Sequence, residues 1–164
     1  MSMRNDLETR MKTFYEQIPK TRLMRRTPVV IRIDGKAFHT FTKGFVRPFD
    51  EVLIKTMQET TKELCENIQG CVLGYTQSDE ISLILVDYQN FNSQAWFDYE
   101  VQKVCSIAAS MATRAFNKFF ERNRHEHSLS KELDAVYTKA ADKGALFDAR
   151  CFNLTKEEVT NYIL

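Results

Sequence analysis

The stretch CVLGYTQSDEISLILV, residues 71–86, decides how this chain folds. Two apolar runs, 71–76 and 81–86, are joined by four polar residues, and this pattern is typical of a β-hairpin. The joining residues include two adjacent carboxylates, Asp79 and Glu80. We therefore predict two antiparallel strands whose turn presents acidic side chains.

A strand with an acidic end precedes the hairpin. Residues 28–34 are rich in β-branched side chains and end on Asp34, which Gly35 follows. If this strand lies beside the hairpin, Asp34, Asp79 and Glu80 converge on one edge of the sheet. Such an oxygen-rich site suits Mg²⁺ and phosphoryl or nucleotidyl transfer. Asp-Gly and Ser-Asp-Glu are also common in plain turns, so these residues alone leave both interpretations open.

Apolar residues at helical spacing predict three helices, and a further apolar run predicts a fourth strand. The stretch 122–144 is polar and poorly periodic, so we expect a mobile insertion or a weak helix there. Thr155 and Glu158 form a capping box that begins a short helix near the chain end. Because that helix has so few residues left, we expect that the carboxyl-terminal part of the protein is missing. The predicted helices cover about 3–18, 48–69 and 94–120, and the fourth strand covers 145–153.

The order of these elements defines the fold class. A leading helix followed by β-α-β-β-α-β predicts an α+β, ferredoxin-like domain of the kind used as a polymerase palm. Its antiparallel sheet would carry the helices on one face and leave the other face open for substrate. Fold alone does not decide function, because one architecture hosts many activities.

Composition and length indicate one ordinary globular domain over 1–164. Hydrophobic residues make up 43% and charged residues 27%, with a net charge of +1. No run approaches membrane-spanning length and no apolar signal region is present, so we expect a cytoplasmic protein with no membrane partner. The four cysteines lack paired spacing and are expected to be buried thiols in a reducing compartment.

Several polar residues have two interpretations. His39 lies among aromatic residues and is more often a packed residue than a catalyst. Lys103 and Ser106 lie one turn apart on a helix, where they are either ordinary surface residues or contacts to a triphosphate. A basic cluster before the first strand is either a solvated face or a nucleic-acid contact. Its members are Lys20, Arg22, Arg25 and Arg26.

Five segments together resemble the tRNA-histidine guanylyltransferase family, in its guanylyltransferase-like branch of 3′-5′ RNA polymerases. The resemblance runs in order along the chain from about residue 28 to residue 164. It departs from the family at Glu100, where relatives usually carry a basic residue, and at Ala149, which replaces a glycine. The matching segments are Ile31–Gly35, Phe38–Phe41, Arg47–Asp50, Gly74–Ser82 and Phe147–Arg150.

The resemblance implies roles for individual residues. Asp34 and Asp79 would be side-chain ligands of two Mg²⁺ ions, Gly35 would give a backbone carbonyl, and Glu80 would be the companion carboxylate. The residues implied to contact the nucleotide are Lys36, Ala37, Phe38, His39, Ser78, Lys103 and Ser106.

The resemblance also implies a reaction and its partners. Nucleotides would be added in a template-directed, 3′-to-5′ manner to the 5′ end of a tRNA whose phosphate is first activated by ATP. The partners would be tRNA, ATP, GTP or other nucleoside triphosphates, and three further copies of the chain in a homotetramer. A nucleotide cyclase on the same palm would need a Gly-Gly-Asp-Glu-Phe hairpin, which is absent. The alternative is a tRNA-binding or assembly module whose metal site has lapsed.

Overall fold

The computed structural model describes residues 3–127 and 130–164. Its four strands are β1 (Val29–Gly35), β2 (Cys71–Gln77), β3 (Glu80–Leu85) and β4 (Phe147–Asn153). Its α-helices are α1 (Met3–Met11), α2 (Phe38–Phe41), α3 (Glu51–Asn67), α4 (Val101–Glu126), α5 (Lys131–Lys143) and α6 (Lys156–Ile163). A π-helical segment, Lys12–Glu16, follows α1, and a 3₁₀ turn, Trp96–Tyr99, precedes α4.

The strands form one antiparallel sheet in the order β2-β3-β1-β4. Strand β1 is central and pairs with β3 on one side and with β4 on the other. This is the split β-α-β plan, in which the hairpin β2-β3 returns beside the first strand. The predicted ferredoxin-like, palm-type α+β fold is therefore confirmed.

One face of the sheet is covered by α3 and α4. Alternate residues of β1, namely Val29, Ile31 and Ile33, are fully buried against these helices. Gly74 permits the close approach of α3, because a β-carbon there would lie 2.4 Å from the sulfur of Cys65. Because side chains alternate along a strand, the other side chains of β1 project from the opposite face of the sheet.

An aromatic cluster ties the segment after β1 to α4. The ring of Phe38 lies 5.0 Å from Phe41, 5.5 Å from Phe116 and 5.3 Å from Phe147, measured between centroids. All four side chains are buried. Because such rings pack at close to crystal density, the cluster holds α2 rigidly against the core.

Helix α4 begins later and ends later than predicted. The predicted helix started near residue 94, but Phe97 and Asp98 have φ of 49° and 52°, so the chain turns there before α4 begins at Val101. Helix α3 is slightly shorter than predicted, and its amino terminus is capped by Asp50, which accepts a bond from the Leu53 amide at 2.9 Å.

The described residues of the polar stretch 122–144 are mainly helical, which was one of the two expectations, and do not form a mobile insertion; residues 128 and 129 lie outside the described part. The stretch completes α4 and supplies α5, a regular helix whose Tyr137 is 1% exposed. The Tyr137 hydroxyl donates to Asp50 at 2.6 Å, and its ring packs edge-on to Phe45. Burial, with the bond to Asp50, raises the pKa of Tyr137. One aromatic residue therefore fixes α5 to the segment that precedes α3.

A leading helix forms, but α1 ends at Met11 and a π-helical segment continues only to Glu16, short of the predicted residue 18, and the apolar residues of this segment are exposed. Leu7, Phe14 and Ile18 are 52%, 64% and 77% exposed. Spacing predicted an amphipathic helix, but it could not predict whether the core would cover the apolar side. In the parts of the chain that are described, no helix combines the length and apolarity needed to cross a membrane.

Helix α6 covers one end of the sheet face that was predicted to be open. The Tyr162 hydroxyl lies 3.0 Å from that of Ser82, and its ring lies 5.9 Å from that of Phe152. Thr155 is the N-cap residue, but its side chain makes no capping bond, so the predicted capping box is wrong. Packing on the sheet, rather than the cap, holds this short helix.

The cysteines are less buried than predicted. All four cysteines are free and partly buried rather than fully buried. The sulfur atoms of Cys105 and Cys151 are 3.5 Å apart, and burial, with this neighbour, raises the pKa of Cys151 to about 12.

In the basic cluster, Arg22 and Arg25 form ion pairs with Asp98 at 3.1 and 3.3 Å. These pairs favour the interpretation of the cluster as a solvated face.

Candidate functional site

Three acidic residues lie side by side on the sheet face opposite α3 and α4. In the strand register, Asp34 of β1 stands opposite Glu80 of β3 and Asp148 of β4. Residues directly opposite each other in antiparallel strands project from the same face. The sequence predicted that Asp34 and Glu80 lie close together, but it gave no reason to expect Asp148 beside them.

Two arginines balance this acidic row. Arg150 donates to Asp34 Oδ2 at 2.8 Å, and Arg32 lies 3.0 Å from Glu80 and 3.6 Å from Asp34. The carboxylates, Glu80 first and then Asp34, raise the pKa of Arg32. Both arginines belong to segments that the sequence singled out, but their partners depend on strand register.

The three predicted carboxylates do not gather into one metal-binding cluster. Over residues 3–127 and 130–164, no three His, Cys, Asp or Glu side chains form a group that could hold an ion. Arg32 contacts both Asp34 and Glu80, and Arg150 pairs with Asp34, so in this structure these two carboxylates neutralise arginines. The donors themselves still fit magnesium: the carboxylates of Asp34 and Asp79 and the carbonyl of Gly35 are hard oxygen ligands.

The turn of the hairpin is fastened to the end of β1. The Gly35 amide donates to the Asp79 carbonyl at 3.1 Å, so the two predicted acidic motifs meet through their backbones. Ser78 has φ of 55°, and its hydroxyl donates to Asp79 Oδ1 at 3.1 Å. A non-glycine residue in the left-handed region is uncommon, and such strain is concentrated at functional sites.

The loop after β1 is held from several sides. The Lys36 amide donates to the Leu146 carbonyl at 2.8 Å, and Ala37 has φ of 51° before α2 begins. A β-carbon on Gly35 would lie 2.2 Å from the ring of Phe38, so the residue at position 35 must be a glycine for this packing. Phe38 is itself 5% exposed and anchors the loop in the core.

A cavity of about 490 Å³ lies between this loop and the hairpin turn. Its wall brings together residues that are distant in sequence and that were predicted to bind nucleotide or metal. The predicted residues in the wall are Gly35, Ala37, Phe38, His39, Ser78 and Asp79. Two separate motifs therefore face one space of the size that small ligands occupy.

The opposite wall includes residues to which the sequence assigned no role. Arg47 lines the cavity, and within the described residues no carboxylate lies within 4.0 Å of it. Asp50 also lines it, but its oxygens accept bonds from Val46, Leu53 and Tyr137. The Arg-Pro-Phe-Asp segment was the available signal for both residues.

Three predicted nucleotide contacts lie outside this wall. Lys36 is exposed on the loop after β1 but does not line the cavity, whereas Lys103 and Ser106 belong to the first turns of α4. The Lys103 ammonium lies 5.3 Å from the ring centre of Phe97, and the Ser106 hydroxyl bonds the Lys103 carbonyl at 3.2 Å. Their contact with a triphosphate stays a prediction.

The fold and the site define a palm-like domain with acidic residues at the end of the central strand and a ligand-sized cavity beside them. A family model described as tRNAHis guanylyltransferase matches residues 8–155. The chain belongs to this family.

Solved structures with the same architecture include two of a bacterial tRNA(His) guanylyltransferase-like protein, one in complex with ATP and one in complex with GTP. The ATP complex is 40% identical with a TM-score of 0.80, and the match covers 95% of this chain and 61% of that one. The GTP complex is 39% identical, also with a TM-score of 0.80, over 96% and 62% of the two chains. The enzyme of Saccharomyces cerevisiae shares the fold at 24% identity and a TM-score of 0.69, over 92% and 61% of the two chains.

Curated relatives are longer than this chain. A probable tRNA(His) guanylyltransferase of Dictyostelium discoideum is 26% identical over 86% of this chain and 50% of its own length. The tRNA(His) guanylyltransferase of Schizosaccharomyces pombe is 34% identical over 62% of this chain and 37% of its own length. The chain therefore spans half or less of these two relatives.

Proposed function

We propose that this chain is the palm-like catalytic domain, over 1–164, of a nucleotidyltransferase that adds nucleotides to the 5′ end of tRNA in the 3′-to-5′ direction. The observation that carries the proposal is the 490 Å³ cavity, whose wall joins the loop after β1 to the hairpin turn. The ATP and GTP complexes of the bacterial relative support nucleoside triphosphates as its ligands.

The cavity residues have roles that follow from their chemistry. Ser78, with residues 37–39 of the wall and the neighbouring Lys36, would lie along the triphosphate. The guanidinium of Arg47, which has no carboxylate within 4.0 Å among the described residues, offsets the negative charge. Lys103 and Ser106 add a phosphate contact from α4. The packed Phe38 keeps the loop in place, so the part of the loop that lines the cavity is preorganised.

Two displacements at phosphorus make up the reaction. The 5′-phosphate oxygen of the RNA attacks the α-phosphorus of ATP and releases pyrophosphate. The 3′-hydroxyl of the incoming nucleotide then attacks the activated 5′-phosphorus and releases AMP. No protein nucleophile is required, and the protein contributes positioning and charge.

Asp34, Asp79 and the carbonyl of Gly35 would hold two magnesium ions, with Glu80 beside them. Bound magnesium supplies charge stabilisation to the attacking and leaving oxygens. To bind magnesium, the carboxylate of Asp34 must release Arg150, and Glu80 must loosen its contact with Arg32.

The substrates, the oligomeric state and the location are proposed from the family to which the chain belongs. We propose tRNA as the acceptor, ATP as the activating nucleotide and GTP or another triphosphate as the nucleotide added. We also propose a homotetramer and a cytoplasmic location. The tetramer is measured by sedimentation equilibrium of the purified chain.

The second candidate is a tRNA-binding or assembly module with a lapsed metal site. The arginine pairs of Asp34 and Glu80, which occupy carboxylates that an ion would need, favour it. The test uses a 5′-truncated tRNA with a blocked 3′ end, labelled GTP, ATP and Mg²⁺. Label added at the 5′ end supports the polymerase, whereas tRNA binding without incorporation supports the module.

A further inference from the structure

A second, basic groove lies on the other side of α2 from the candidate site. It has a volume of about 320 Å³ and lies between α2 and α5. We call it the lysine groove. Its lining residues are Thr40, Phe41, Lys43, Val136, Lys139, Ala140 and Lys143.

The three lysines that give the groove its charge are exposed and unpaired. In the described parts of the chain, no carboxylate lies within 4.0 Å of the ammonium group of Lys43, Lys139 or Lys143. Lys139 and Lys143 are four residues apart on α5, so they share a helix face, where like charges repel. An anion in the groove would relieve this repulsion.

The surroundings also favour an anion. Residues 36–49 contain three basic side chains and no acidic one. The acidic residues of α5, namely Glu132, Asp134 and Asp142, are not among the residues that line the groove. The charged residues that line the groove are therefore all lysines.

Packing contacts and a hydrogen bond connect the lysine groove to the candidate site. Gly44 has φ of 89°, and a β-carbon there would lie 3.1 Å from Val136, so glycine lets the loop that carries Lys43 lie against α5. Tyr137 bonds Asp50, which lines the cavity. Helix α2 is shared, because Phe38 and His39 line the cavity and Thr40 and Phe41 line the groove.

We propose that the lysine groove binds the phosphate backbone of the substrate RNA and thereby positions its 5′ end at the neighbouring cavity. The inference rests on the proposed function. The groove offers three ammonium groups and one hydroxyl, whereas Phe41 is only 5% exposed and no amide side chain lines it. Such a surface can hold phosphates but cannot read a base, which favours an RNA backbone over a free nucleotide.

The test compares RNA and nucleotide binding by the full chain. A triple variant, Lys43→Gln, Lys139→Gln and Lys143→Gln, is titrated with a 5′-truncated tRNA at several salt concentrations, and separately with ATP and GTP. We expect tRNA affinity to fall on the order of tenfold, and the slope of log affinity against log salt to become shallower by about 2 to 3. ATP and GTP affinities should not change.

Two controls separate charge from folding. Lys62→Gln removes an exposed lysine on α3, away from the groove, and should leave tRNA binding unchanged. The corresponding triple change to arginine keeps the charge and should retain the wild-type affinity and salt slope. Circular dichroism and the thermal midpoint check that every variant is folded.

Two results would overturn the inference alone: tRNA affinity and salt slope unchanged in the glutamine variant, or a parallel loss of ATP and GTP binding, which would assign the groove to the nucleotide. A wild-type chain that binds no tRNA would overturn the proposed function as well. The inference and the proposed function therefore fail in different ways.

Discussion

At the scale of single residues, Asp34 belongs to two competing sets of interactions. Its carboxylate accepts a bond from Arg150 and lies near Arg32, yet it also ends the strand that borders the cavity. Ion pairs this exposed contribute little to stability, about 0 to 1 kcal/mol. An arginine partner can therefore be exchanged at small cost when a divalent ion binds.

Gly35 is the residue whose replacement should separate packing from charge. In Gly35→Ala the new methyl group would lie 2.2 Å from the ring of Phe38, which the aromatic cluster prevents from moving freely. We expect a loss of about 1 to 3 kcal/mol in the free energy of unfolding, and impaired nucleotide binding. Urea unfolding and nucleotide titration measure the two effects. Wild-type values in both would show that the loop is not held as described.

Glu100 is the residue that differs from the family. Within residues 3–127 and 130–164, no lysine, arginine or histidine nitrogen lies within 4.0 Å of its carboxylate, so its charge is not cancelled by an ion pair. If α4 contacts the triphosphate, Glu100→Arg should tighten nucleotide binding by about 1 kcal/mol, and the gain should shrink as salt rises. Lys103→Gln should act in the opposite direction. Titrations at low and high salt decide this, and unchanged affinity in both variants would remove α4 from the nucleotide site.

At the scale of elements, Tyr137 explains why a polar helix is part of the fold. Helix α5 buries Tyr137 and Ala140. The hydroxyl of Tyr137 donates to Asp50, which is the N-cap residue of α3. The residues of α5 that pack on the core recur at helical spacing, so the sequence did carry a signal for this helix. They are Leu133, Val136, Tyr137, Ala140 and Ala141. The stretch 122–144 looked poorly periodic because it also included the end of α4 and the link between the two helices.

Tyr137→Phe should lower stability without disturbing the aromatic packing. It removes the hydroxyl from Asp50, which is 4% exposed and keeps only its two backbone donors. We expect a loss of about 1 to 3 kcal/mol in the free energy of unfolding, because a buried bond to a charged group is lost. Tyr15→Phe is the matched control, since Tyr15 is 66% exposed and should tolerate the change. Equal stabilities of the two variants would argue against the anchor.

At the scale of the whole molecule, the strands were predictable and the electrostatics were not. Alternation and the polar turn specified the hairpin, and the order of elements then left the β2-β3-β1-β4 sheet as the natural arrangement. The pairing of Arg150 with Asp34 depends on strand register and on two side chains 116 residues apart. The exposure of Leu7 and Phe14 depends on what the rest of the fold fails to cover.

The same distinction applies to the candidate site. The sequence identified one wall of the cavity, because Asp34-Gly35 and Ser78-Asp79 are local motifs at strand ends. The wall formed by Arg47 and Asp50 is brought there by the tertiary fold. The lysine groove is likewise assembled from two elements that are far apart in the chain.

We propose that the acidic edge of the sheet beside the cavity carries nucleotidyl transfer. The most direct measurement is incorporation of labelled nucleotide at the 5′ end of a truncated tRNA by the wild-type chain and by Asp34→Asn and Asp79→Asn, with Mg²⁺ and ATP. We expect incorporation by the wild type, its loss on chelation of the metal, and in each folded variant a loss of at least a hundredfold, about 2.7 kcal/mol in the barrier. Near-normal turnover by either folded variant would contradict the proposal.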